Sequence, residues 1–175
     1  MGKTQYIVVR ELASGHETRW RFRLGTSGAE GHSLRRLVWL PDSQTLAYEV
    51  GHEEASWIHL LDTDGDEGIE LGEGPRLGPQ DSSLELVGFH AEGLAVVRRC
   101  FVSPEPGCPP EPEIVALDPE TGEVVATLLR PAPEAFSYDL DPSGRHLLYV
   151  TEEALYRWSG GEPVRIRGRY FAATW

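Results

Sequence analysis

Apolar residues fall along this chain in short runs separated by polar turns, and the runs recur in a fixed order. In the stretch Leu37 to Gly65 two of them, Leu37-Val38-Trp39-Leu40 and Leu46-Ala47-Tyr48-Glu49-Val50, flank the polar turn Pro41-Asp42-Ser43-Gln44. A third, Trp57-Ile58-His59-Leu60-Leu61, follows a polar loop and ends at Asp62-Thr63-Asp64-Gly65. Runs of this length bounded by Pro, Asp, Ser and Gly predict strand, turn, strand, loop, strand, turn. In Thr18-Arg19-Trp20-Arg21-Phe22-Arg23-Leu24 the arginines share one face and Trp20, Phe22 and Leu24 the other, the period of two that marks a strand. Val164-Arg165-Ile166-Arg167 repeats that pattern, and no stretch carries helical spacing long enough to predict a helix.

The pattern repeats along the chain. Leu40 to Tyr48 aligns with Asp141 to Tyr149, and Phe89 to Val96 takes the same place between them with a turn shorter by one residue, a spacing of roughly 50 residues that is the mark of repeat architectures. The second half recurs as Trp57 to Asp62, Glu113 to Asp118 and Ala154 to Ser159, with Tyr6 to Leu12 as a fourth copy. The expected organisation is a single domain over 1–175, with units of 1–31 plus 169–175, 32–80, 81–131 and 132–168. The chain begins and ends in mid-unit. Tyr170 to Trp175 resembles a first strand, and two termini sharing one sheet would leave no unpaired edge. The fold class expected is therefore all-β and β-propeller-like, about four units of antiparallel four-stranded sheet in a closed small ring or a partial propeller. An open arc, two half rings meeting as a homodimer, and a piece of a longer propeller are the alternatives.

The phrase carried by Trp39, Pro41, Asp42, Leu46, Ala47, Tyr48, Ile58 and Asp62 resembles the repeat of TolB-like and WD40-like bacterial propellers, with a hairpin "W-S-P-D-G-x-x-L-A-Y" and then "I-Y-x-x-D-x-x-T-G". The tail from Leu147 to Trp175 is similar to the closing segment of propeller domains in bacterial cell-envelope and anti-sigma-factor-like proteins. The resemblance implies a binding or interaction platform, an accessory domain of a peptidase, or a sensor domain outside a membrane. It specifies fold and leaves function open, because this fold hosts unrelated activities.

Composition narrows the classes. A 40% hydrophobic share in 175 residues is enough for a buried core, and 19 Gly with 13 Pro favour many turns. The net charge of −12 repels phosphate backbones, so nucleic acid is not an expected partner. No apolar run approaches the roughly 20 residues of a membrane span, and the N-terminus lacks a secretion-signal core. Read as written the chain is soluble and cytoplasmic; as a fragment of an envelope protein it is extracytoplasmic. Cys100 and Cys108 bracket a Pro-rich loop, as a disulfide staple or as free thiols, and their spacing does not suit structural zinc.

Candidate chemistry is sparse. Asp62, Asp64 and Asp66, with Glu73 eleven residues after Asp62, follow the oxygen-ligand spacing of a calcium loop, although Glu67 stands where that loop needs glycine; otherwise the stretch is a solvated acidic turn. His52 and His59 lie seven apart in strand-like sequence, unlike the zinc motif HExxH, and no G-x-S-x-G elbow supplies a serine nucleophile. Two basic strands, Arg19/Arg21/Arg23 and Arg165/Arg167/Arg169, run against the overall charge. They suit an acidic partner or lipid headgroups, or simply protect sheet edges from pairing. The five tryptophans are expected mainly in the core, with Trp158 or Trp175 as candidates for an axial surface.

These features lead to a non-catalytic propeller-type interaction or sensing module that binds a protein or small ligand and has no cofactor. The alternatives are an enzyme or hydrolase-type accessory domain with a metal or acidic site in the axial channel, and a fragment without independent function.

Overall fold

A computed structural model describes residues 4–23, 32–51, 55–65, 71–72, 75–101 and 110–166. Among these residues there are thirteen strands and no helix, so the protein is all-β as the period-two patterning requires. The chain divides into two compact units, Met1–Leu77 and Gly78–Trp175.

In the first unit β1 (Thr4–Arg10) and β2 (Glu17–Arg23) form an antiparallel hairpin with Ile7 opposite Trp20. A second sheet runs β3 (Ser33–Trp39), β4 (Thr45–Gly51), β5 (Ser56–Asp62) in sequence order. Ile7, Trp20 and Phe22 from the hairpin pack with Leu46, Tyr48, Val50 and Leu61 from the sheet. Burial of each such side chain contributes on the order of 2 kcal/mol. The alternation read in β2 holds here: Trp20 and Phe22 are buried while Arg19 and Arg21 are exposed. A register shift between Leu34 and Leu37 leaves Leu37 opposite Tyr48 and Trp39 opposite Leu46. That puts two apolar side chains of an edge strand beside Tyr48 and Leu46, where they stay 49% and 45% exposed. Trp39 thus departs from the expected core role.

The second unit holds two four-stranded meanders. One runs β6 (Ser82–His90), β7 (Gly93–Cys100), β8 (Glu113–Leu117), β9 (Val124–Leu129). The other runs β10 (Ser137–Leu140), β11 (Leu147–Val150), β12 (Leu155–Trp158), β13 (Val164–Ile166). Val87, Ala95, Val97 and Ile114 of the first pack against Tyr138, Leu147, Tyr149 and Trp158 of the second. The middle strands β7 and β8 are covered on both faces, which is why Leu94 to Val97 read as an unbroken apolar run rather than an alternation. Gly88 lets the two sheets approach, since a Cβ there would lie 2.8 Å from Leu140 Cβ. Gly93 closes the two-residue turn between β6 and β7 at φ +145°, with the Leu117 carbonyl oxygen only 2.4 Å from where its Cβ would be. No other residue fits both demands.

A four-stranded antiparallel meander made twice from consecutive segments is the blade of a propeller, and the chain is β-propeller-like in this sense. The edge strand β13 departs from the expected alternation: Val164 is 56% exposed, because only three residues pair there and the strand is outermost. Tyr170 to Trp175, expected as the closing strand, lies outside the described residues.

Candidate functional site

The acidic turns have a structural explanation in backbone hydrogen bonding. Asp62 Oδ1 accepts from the N–H groups of Asp64 (3.0 Å) and Gly65 (3.2 Å), so its carboxylate caps its own turn. Asp42 does the same for Gln44 and Thr45, and Asp118 for Glu120 and Thr121. Asp141 Oδ1 accepts from both Arg145 and His146 at 2.8 Å. Partial desolvation raises the Asp141 pKa, but the bonds from Ser143, His146 and Arg145 outweigh it and hold the carboxyl at about 2. Asp64 is exposed, while Asp66 and Glu73 lie outside the described residues. Among the described residues no group of three or more His, Cys, Asp or Glu side chains is placed to hold a metal ion.

Of the basic strands, Arg19 and Arg21 belong to the first unit and Arg165 to the second. Arg19 pairs with Glu17 at 3.0 Å, and Arg165 Nη2 donates to the Glu153 carbonyl at 3.3 Å. The side chain of Arg23, and Arg167 and Arg169 altogether, lie outside the described residues. Cys100, at the end of β7, is disulfide-bonded, and Cys108 also lies outside the described residues.

Sequence reasoning missed a buried charge cluster. Glu113, 1% exposed, sits opposite Arg98 in the β7–β8 register, with Arg98 Nη1 at 3.5 Å. Arg130 Nε donates to Glu113 Oε2 at 2.9 Å, and Arg98 Nε donates to Ser82 Oγ at 3.1 Å. Each buried charge is met by an opposite one, as burial demands.

Also missed was a cavity of about 640 Å³ at one end of the β10–β13 sheet. Tyr138, Tyr149 and Tyr156 stand directly opposite one another on β10, β11 and β12, so they form a ladder on one face. Tyr149 and Tyr156 are stacked, with centroids 5.2 Å apart and an 11° interplanar angle, and Tyr138 tilts against Tyr149 at 6.4 Å. Tyr138 is buried, and its hydroxyl donates to the Pro133 carbonyl, which folds the segment before β10 back over the sheet. The Phe136 N–H donates to Val150 O at 2.8 Å, yet its ring stays 67% exposed at the cavity wall. The β11–β12 turn also lines the cavity. There Thr151 Oγ1 accepts from the Glu153 and Ala154 N–H groups, so Glu152 and Glu153 project outward. Burial pushes the Tyr138 and Tyr149 phenols up to about 12, with smaller contributions from neighbouring groups. Phe136, Tyr149 and Tyr156 wall the cavity, and Glu134, Glu152 and Glu153 rim it. The available signal was an aromatic residue in each of three consecutive short strands, with a Glu-Glu turn between the second and third. Only the register reveals that the aromatics align.

Fold and cavity together define an all-β, propeller-like protein with a ligand-sized recess at one blade end. The chain is similar to TolB from Acinetobacter baumannii in its crystal structure, with 17% sequence identity and a TM-score of 0.48 over 94% of this chain and 41% of that one. It therefore spans about two fifths of the TolB chain, 41% of its length. No family model and no curated protein matches the sequence.

Proposed function

We propose that this chain is a propeller-type binding or sensing module whose ligand enters the recess at the end of the β10–β13 sheet. The observation that carries this reading is the cavity itself: about 640 Å³, within the ordinary range for ligand sites, with Tyr149 and Tyr156 of its wall held on strands. Strand-borne side chains keep their positions better than loop-borne ones, which suits recognition. Ligand-observed NMR with a library of small fragments tests it. Binders are expected whose signals weaken with Phe136→Ala and Tyr156→Ala protein. A library without any binder sensitive to those two substitutions refutes the reading.

A polypeptide partner is a second reading, favoured by an observation in the first unit. Tyr6, Val8, Leu37 and Trp39 are 45–55% exposed, and a groove of about 280 Å³ runs between β1 and the β3–β4 hairpin. Light scattering at several concentrations tests its simplest form, a second copy of the chain. A mass that rises with concentration and falls back in Trp39→Ser supports it, and a constant monomer mass removes that form.

A further inference from the structure

We propose that the recess beside Tyr149 and Tyr156 is selective for an organic cation, an alkylammonium group carried by a free amine or by a lysine side chain. This rests on the binding reading above and adds the chemical class of the ligand. Three features of one sheet end converge on it. First, the recess is lined by aromatic rings: Tyr156, half-buried at the end of the ladder that Tyr138 and the buried Tyr149 begin, and the exposed Phe136. The negative face of an aromatic ring attracts a cation and gives an isosteric neutral group no such term. Second, the acidic side chains of the rim are Glu134, Glu152 and Glu153, and among the described residues no lysine, arginine or histidine lines the recess. Among the described residues none of the three forms a salt bridge. Third, the next position of the same cross-strand row is Arg165, opposite Tyr156. Its guanidinium donates to the Glu153 main-chain carbonyl and, among the described residues, pairs with none of the three carboxylates, so their charge is left to a ligand.

The geometry also argues against an anion or a purely apolar ligand. An anion would meet three carboxylates at the entrance, and an apolar group would have to strip them of water without pairing them. A cation gains from both wall and rim. A quaternary ammonium uses mainly the rings, whereas a primary ammonium adds hydrogen bonds to the carboxylates.

The test is titration of the full chain, by calorimetry or NMR, with choline, with its neutral isostere 3,3-dimethylbutan-1-ol, and with N-acetyl-lysine methylamide. At least one cation is expected to bind ten-fold or more tighter than the isostere. Phe136→Ala, at an exposed ring that folding does not need, should weaken it five-fold or more. So should Glu134→Gln/Glu152→Gln/Glu153→Gln, with a reduced dependence on salt. Tighter choline identifies a quaternary amine as the source, and a tighter lysine amide identifies a polypeptide side chain. If the isostere binds in the recess as well as the cations do, the cation inference falls while the binding reading stands. If neither these probes nor any fragment binds there, both fall. Cation binding that is indifferent to Phe136→Ala and to the triple glutamine variant also overturns the inference.

Discussion

Substituting Glu113 by glutamine removes one buried charge and leaves its partners in place, which makes the cost calculable from the structure. Two arginines lose a counter-ion. Arg130 is 53% exposed, so its side of the cluster is in effect a surface pair, on the order of 0.5 kcal/mol. Arg98 is only 10% exposed and approaches Glu113 at 3.5 Å. After the substitution its remaining partners include Ser82 Oγ at 3.1 Å and Asp81 at 3.9 Å, the latter 44% exposed. Breaking a buried pair costs about 3–5 kcal/mol, and the residual contact to Asp81 places Arg98 at the low end. The sum is a loss of about 3.5 kcal/mol, roughly 1.7 M of urea midpoint for an m-value near 2 kcal/mol/M. Urea unfolding followed by tryptophan fluorescence measures it. Replacing both partners, Arg98→Met with Glu113→Leu, should recover most of the loss, because no unpaired charge then stays buried. A loss below about 1 kcal/mol for Glu113→Gln, or a double variant no better than the single, would refute the reasoning.

Spectrophotometric titration of tyrosinate should show two phenols ionising near pH 12, Tyr138 and Tyr149, and the late fraction should shrink in Tyr149→Phe. Their folded pKa lies above the unfolded value of about 10, so the stability they contribute is complete below pH 10 and is lost as pH rises toward 12. Asp141 has the opposite sign: its carboxyl falls from 3.8 to about 2 on folding, so its contribution is present above pH 3.8 and lost as pH falls through 2. Asp141→Asn should flatten the acid limb of stability measured by urea unfolding between those values, with an effect at neutral pH held below about 1 kcal/mol by solvent screening. Ser43 and Gly144 occupy matching turn positions at φ 58° and 68°. Ser43→Gly should stabilise by about 0.5 kcal/mol by relieving left-handed strain. Gly144→Ser should destabilise by more, since its Cβ would lie 2.6 Å from the Phe89 carbonyl oxygen. Thermal melts of both variants decide it, and equal shifts would count against the packing argument.

The sequence by itself determined the local structure of this protein. Period-two alternation marked β2, recurrence of the Leu40–Tyr48 phrase marked the hairpins, and their Asp and Gly residues marked the turns, because strand faces and turn conformations depend on a few adjacent residues. The Asp62 turn shows the limit of that reading: local spacing does not reveal which backbone groups a carboxylate meets, and the structure has Asp62 Oδ1 accepting from the N–H groups of Asp64 and Gly65. Tertiary structure decided what depends on register and on packing between sheets. It set Glu113 opposite Arg98, lined Tyr138, Tyr149 and Tyr156 across three strands, and left Trp39 on an open face although its sequence context suits a core. Such pairings join residues far apart in sequence, and a one-residue slip of any strand would undo them while leaving the composition and the alternation of each strand unchanged.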